Sequence, residues 1–232
     1  MNEVLQHTLG VTRARGTESR ERQIVVAAEL FASRGFNGVS VRDVATAADV
    51  NVAAISYYFG GKQGLYEAAL ERLMEGMAPV VRPIIEHINR IFDEGVPSRP
   101  VLREAMVFVV HHILSTMLSG NFPPWVTQTV LREFQQPTPD YRPMLDECVL
   151  PLHGVIRTLV AAALQIDRAT PNAILSSHAV IGQIMVFAAT RQVILEELTW
   201  DDFSNWRLEQ VIEAATVGVL KTLGLHIKTE AV

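Results

Sequence analysis

The sequence predicts an all-α chain of nine helices, three in an N-terminal unit and six in a larger bundle behind it. Three observations carry this prediction. Apolar residues recur at helical spacing along most of the chain, as in Ile24, Ala28 and Phe31 or in Leu65, Ala69, Leu73 and Met77. Prolines and glycines fall as punctuation, at Pro79, Pro83, Gly95–Pro97, Pro123–Pro124, Pro137–Pro143 and Pro171. No stretch keeps the alternation of a half-buried strand, and no internal repeat or low-complexity tract is present.

Residues 1–16 lack periodicity and read as a flexible N-terminal arm. Thr17 or Ser19 is suited to cap the first helix, and Gly35 to stop it. Ser40 is the next N-cap candidate, ahead of a short helix with Val44, Ala45 and Ala48 inward. Asp49–Asn51 form a tight turn, and Asn51 caps a third helix that runs to about Phe59, where Gly60–Gly61 break it. Six longer segments follow at about 62–92, 99–118, 123–135, 139–165, 171–196 and 204–223. The expected division is an arm at 1–16, a small three-helix domain at 17–62 and a large helical domain at 63–232.

Composition narrows the class. With 49% hydrophobic and 19% charged residues the chain can bury a sizeable core. The mean hydropathy of +0.20 is high for a protein in water. Yet Gln183 breaks the apolar run 179–190, and His153 and Arg157 break the run 149–164. Neither gives about 18 uninterrupted apolar residues, so the surplus reads as core plus subunit interface and no membrane span is expected. The N-terminus lacks an apolar secretory segment, and Cys148, the single cysteine, allows no intrachain disulfide. A cytoplasmic protein is expected. The net charge of −5 is unevenly spread: residues 1–72 are neutral overall, with Arg13, Arg15, Arg20 and Arg22 bunched near the first helix. A locally basic face can meet phosphates on an acidic chain.

Residues 40–59, SVRDVATAADVNVAAISYYF, follow the grammar of a helix-turn-helix. In the second helix only Val50, Ile55 and Phe59 recur at inward spacing. Val52, Ala53, Ser56 and Tyr57 are left outward, with side chains small enough for the backbone to approach base edges in a major groove. Tyr57 and Tyr58 are adjacent and cannot share one helix face, so at least one is accessible to a phosphate. Lys62 adds a cation at the next helix start, where free N–H groups already favour an anion.

The run GFNGVSVRDVATAADVNVAAISYYFGGKQGLYEAAL closely resembles the DNA-binding signature of the TetR/AcrR family over about residues 20–70. Two positions depart from it: Asp49 replaces the usual turn glycine, and Ser56 a common aromatic. Arg132–Thr138, REFQQPT, with Pro151 beyond it, resembles the C-terminal domain of the CecR-like subgroup, as does Val50–Ile55, VNVAAI. The resemblance implies a nine-helix TetR-like architecture and a homodimeric, ligand-responsive repressor that binds double-stranded operator DNA. The expected DNA-contacting set is Ser40, Val41, Arg42, Val52, Ala53, Ala54, Ser56, Tyr57, Tyr58 and Lys62. A small-molecule effector is expected in the helical domain, where Phe108, His111, His112, Trp125 and Phe134 are candidate pocket residues. The resemblance also implies a four-helix dimer interface made by the last two helices, with Ile181, Ile184, Met185, Ala188, Val211, Ile212, Ala215 and Val219 as candidates.

Other chemistry finds little support. No histidine pair has the i, i+4 spacing of a helical metal site, so no metal or cofactor is expected. Glu133, Asp146 and Glu147 read as charged helix surface; no nucleophile elbow or phosphate-cradling loop accompanies them, and an enzyme is not expected. The alternative reading is a helical ligand- or partner-binding protein that does not use DNA. The acidic net charge and Ser56 are its support.

Overall fold

The computed structural model describes residues 2–120, 122–204 and 206–226, with side chains described from residue 17 onward. The helices are α1 (Asn2–Arg34), α2 (Val41–Ala47), α3 (Val52–Phe59), α4 (Lys62–Phe92), α5 (Arg99–Leu118), α6 (Pro124–Gln135), α7 (Tyr141–Met144), α8 (Leu150–Leu164), α9 (Pro171–Ala189), α10 (Arg191–Leu198) and α11 (Trp206–Thr222). No strand occurs among the described residues. A π turn, Leu145–Val149, joins α7 to α8 in one stretch, Tyr141–Leu164. Counted so, there are ten helical rods among the described residues where nine were expected.

The extra rod arises at Thr190, which divides the expected segment 171–196. Its hydroxyl and its N–H both donate to the Val186 carbonyl, and its backbone leaves the helical region. Threonine back-bonding of this kind bends a helix. The π turn has a covalent cause: in a regular helix the Pro151 ring would press on the carbonyl four residues earlier. The turn widens instead, and Leu150 N–H donates to the Leu145 carbonyl. At the other end of the chain α1 extends back to Asn2, over the stretch expected to be an arm. Thr17 and Ser19 therefore lie inside the helix rather than at its cap. Side chains of residues 2–16 lie outside the described residues.

The chain forms two compact units. The first combines residues 1–76 with 128–141, and the second combines 77–127 with 142–232. Segment 128–141, which the sequence placed in the large domain, thus clusters with the small one. In the first unit α1 packs on α2 and α2 on α3. Its core is Ile24, Ala28, Phe31, Val44, Ile55, Leu65 and Leu73.

In the second unit α5 packs on α11, α9 and α8, and α8 on α9. Leu102, Met106, Leu114, Ile156, Leu159 and Ile184 are fully buried there. Arg99 ties the bundle together, donating to the carbonyl of Ala163 in the last turn of α8 and to that of Gly224 just beyond the end of α11. Three helical stretches, Arg99–Leu118, Tyr141–Leu164 and Pro171–Ala189, are long and apolar enough by composition to cross a membrane. Each is interrupted by polar or charged residues, so none is an unbroken apolar run. Many of their apolar side chains fill this core, including Leu102, Met106, Leu159 and Val180.

Candidate nucleic-acid interface

Local rules build the helix-turn-helix. Ser40 caps α2 in a reciprocal box: its Oγ accepts from Asp43 N–H at 3.1 Å, while Asp43 Oδ2 accepts from Ser40 N–H at 2.7 Å and from Ser40 Oγ at 2.6 Å. Those Ser40 bonds hold the Asp43 carboxyl below its ordinary range. Asn51 Oδ1 accepts from Ala53 N–H at 2.8 Å and starts α3. Gly60, in the left-handed region, ends α3 by donating to the Ser56 carbonyl.

The turn between the two helices depends on Asp49, whose φ is +53°. There the chain reverses, and Val50 N–H reaches back to the Ala45 carbonyl at 2.9 Å. An L-residue pays a steric cost in this region that glycine does not, and Asp only partly escapes it. Asp49→Gly is expected to stabilise the protein by about 1 kcal/mol. Thermal unfolding should show this as a rise of about 2–4 °C. An unchanged or lower midpoint would mean that the aspartate side chain holds the turn by other means.

Only Ile55 of α3 is fully buried. Val52, Ala53, Ser56, Tyr57 and Tyr58 are exposed, Ala54 is half-buried, and Tyr57 at 83% is among the most exposed large side chains described. The two tyrosine rings meet edge to face at 5.2 Å, so each limits the other's freedom. Ser40 and Arg42 are exposed, and Val41 and Lys62 are half-buried. Arg42 and Val52 line one open groove together with Thr46, Asp49 and Asn51. The starts of both helices thus face the same space.

Three contacts escaped the sequence reading. Lys62 Nζ lies 4.3 Å from the centre of the Phe36 ring, and Arg20 stands 5.2 Å over the Phe59 ring. Such cation–π contacts join residues far apart in sequence, and no periodicity signals them. The third is Glu133. Read as helix surface, it is 1% exposed, and its carboxylate accepts from the Tyr66 hydroxyl and from Thr138 N–H at 2.9 Å. Asp146 does lie on the surface, paired with Arg142 at 2.7 Å.

The expected pocket residues separate. Phe134 belongs to the first unit and meets Tyr141 edge to face. Phe108, His111, His112 and Trp125 belong to the second. There Phe108 lies between the His87 and His112 rings, with centroids 4.2 and 5.5 Å away; His111 is exposed, and Trp125 is buried. His112 Nε2 donates to the Pro79 carbonyl at 2.9 Å. That carbonyl lacks its helical partner because Pro83, four residues on, has no N–H.

Of the expected dimer residues, Ile184, Ala188, Val211, Ile212, Ala215 and Val219 are buried within the chain's own bundle, and Ile181 and Met185 are half-buried. The same two helices expose Leu175, Val186 and Val217 instead. Periodicity locates an apolar face, but it does not say which part of that face the chain itself covers.

Comparison with known proteins agrees with this geometry. The profile of bacterial regulatory proteins of the tetR family matches residues 24–69. The profile described as "HTH-type transcriptional dual regulator CecR, C-terminal domain" matches residues 102–223, more than half of the chain. The HTH-type transcriptional dual regulator CecR of Shigella flexneri is 28% identical over 202 residues, covering 87% of this chain and 90% of that protein. Among solved structures, AmtR of Mycobacterium smegmatis superposes with a TM-score of 0.59 at 19% identity, covering 90% of this chain and 87% of that one. AibR, crystallised with isovaleryl coenzyme A and operator DNA, gives a TM-score of 0.59 at 16% identity, covering 85% and 96%.

Proposed function

The chain belongs to the TetR family of bacterial transcription regulators, with a CecR-type C-terminal domain, and from that membership we propose that it acts as a homodimeric, ligand-responsive repressor. As a member of that family it is a DNA-binding transcription regulator, and regulators of this family bind operator DNA. One observation carries the detailed reading: the face of α3 opposite Ile55 is exposed and small-sided, and Tyr57, Tyr58 and Lys62 follow at its edge. A helix of this kind enters a major groove, with tyrosine hydroxyls and a lysine at hand for the flanking phosphates.

Ser40, Tyr57, Tyr58 and Lys62 fix the register on phosphates. Arg42, Val52, Ala53 and Ser56 face base edges, with Val41 and Ala54 beside them. Two heads on one dimer address half-sites about 34–36 Å apart or somewhat more. The dimer uses α9 and α11, now through their outward residues, Leu175, Val186 and Val217 among them, with the buried set as support. A small-molecule effector binds the second unit near Phe108 and His112. It acts by favouring a state whose heads no longer match the operator spacing, which demands different affinities for the two states. The Shigella flexneri relative is named a dual regulator. One head serves repression or activation according to where the operator lies relative to a promoter. Such a regulator works in the cytoplasm, where its DNA is.

The test uses a duplex selected from a random-sequence pool by the unaltered protein. Tyr57→Ala combined with Lys62→Ala should weaken binding about 10- to 100-fold and lower the slope of log K against log salt by about one or more. The oligomeric state should not change. Unchanged affinity with an unchanged slope would remove these residues from the interface.

A further inference from the structure

Lys62, Glu133 and Tyr66 are linked by contacts that the DNA-binding reading does not use. We infer that the stretch 132–140, remote in sequence from the helix-turn-helix, positions Lys62 for its phosphate; this rests on the reading of Lys62 as a DNA contact.

The links can be followed atom by atom within the first unit. Glu133, buried, accepts from the Tyr66 hydroxyl, from Thr138 N–H at 2.9 Å and from Thr138 Oγ1 at 3.1 Å. A buried carboxylate with several donors is fixed in orientation, because losing any one of them leaves charge unsatisfied away from water. Tyr66, 3% exposed, is therefore held at its far end. Burial and the Glu133 carboxylate push its hydroxyl pKa up, so it remains a donor. The Tyr66 ring meets Phe31 and Phe36 edge to face, each at 4.9 Å. The Phe36 ring in turn carries the Lys62 ammonium.

Two further contacts brace the same corner. Arg132 donates from Nε to the Ala32 carbonyl at 3.1 Å and from Nη2 to the Ser33 carbonyl at 3.0 Å, on the last turn of α1. Its guanidinium lies against Gly35, just before Phe36, where an added Cβ would stand 3.1 Å from Nη1. Asp140 accepts from Gln63 Nε2 at 2.7 Å, next to Lys62 itself. The 132–140 stretch thus grips the end of α1, just before the turn that carries Phe36, and the first turn of α4, which carries Lys62. A lysine pre-placed on a ring gives up less side-chain freedom on meeting DNA than a free one.

Glu133 and Tyr66 are positioning residues here and touch no DNA. Tyr66→Phe keeps the ring and deletes the hydrogen bond; Glu133→Gln keeps the shape and deletes the charge. Binding of the selected duplex is measured across a salt series for Tyr66→Phe, Glu133→Gln, Lys62→Ala and the Tyr66→Phe, Lys62→Ala double variant. Thermal unfolding of each free protein verifies the fold.

Lys62→Ala is expected to weaken binding about tenfold and lower the salt slope by about one. Tyr66→Phe and Glu133→Gln should weaken binding severalfold and lower the slope in the same direction. The double variant should bind almost as well as Lys62→Ala alone, because both changes remove one contact. A stability loss with no positioning role would leave the slope unaltered and make the two effects multiply, and that result overturns the inference while the Lys62 contact stands. If Lys62→Ala itself leaves affinity and slope unchanged, the contact reading fails first and the inference falls with it.

Discussion

Ala53→Glu is expected to abolish operator binding while the protein stays folded. Ala53 is exposed in the first turn of α3, two residues after the Asn51 cap. An acidic side chain in the first turn of a helix is favourable, so the free protein should be as stable as before or slightly more stable. In the proposed docking the same charge would face phosphates and the acceptor-rich base edges. Like charges brought together at an interface cost several kcal/mol, and about 3 kcal/mol per head is already more than a hundredfold in affinity. A dimer carries the change at both half-sites, so specific binding should vanish from a gel-shift assay in which the unaltered protein saturates. Thermal unfolding and oligomeric state serve as controls. Retained binding by Ala53→Glu would mean that α3 does not enter the groove, and would favour a helical ligand- or partner-binding protein that does not use DNA.

Gly64→Ala is expected to damage the head from within. A Cβ at Gly64 would fall well inside the van der Waals contact distance of the Phe59 carbonyl oxygen. Backbone, rather than a flexible side-chain end, would have to move. Overpacking of this kind costs about 2–3 kcal/mol, or about 5–10 °C in the unfolding midpoint of a chain of this length. Phe59 ends α3 and Gly64 lies in the first turn of α4, so the shift also displaces Lys62 from the Phe36 ring and weakens DNA binding. Gly154→Ala is the control: its Cβ meets nothing within 4 Å, and alanine in a helix should stabilise by about 0.5–1 kcal/mol. Equal effects at the two glycines would show that the α3–α4 junction yields freely.

What was legible in the sequence follows local rules. Ser40 and Asn51 cap their helices because a short polar side chain can reach a free N–H two or three residues on. Gly35 and Gly60 end theirs because glycine enters the left-handed region at little cost. Asp49 tolerates that region too, which is why the turn survives without glycine. Tyr57 and Tyr58 proved accessible together, since a helix with only Ile55 fully buried leaves most of its circumference outside.

Other features were not legible, and each depends on a partner distant along the chain. Glu133 looked like surface because helix spacing cannot foresee a tyrosine 67 residues away that satisfies its carboxylate. Ile184 and Val219 suit a subunit interface and the chain's own core equally well by composition; the packing of α9 on α11 and α5 decides for the core. Phe134 belongs to the first unit, where it meets Tyr141.

The sequence by itself determined where helices start and stop, and that the second and third form a helix-turn-helix with an open, small-sided face. Caps, turns and periodicity act over a few residues and are written in neighbouring letters. Only the tertiary structure decided that segment 128–141 belongs with the DNA-binding unit, that Glu133 and Arg132 grip it, and that Gly64 has no room for a methyl group. Amphipathic spacing says that a face must be covered, and the three-dimensional packing selects what covers it.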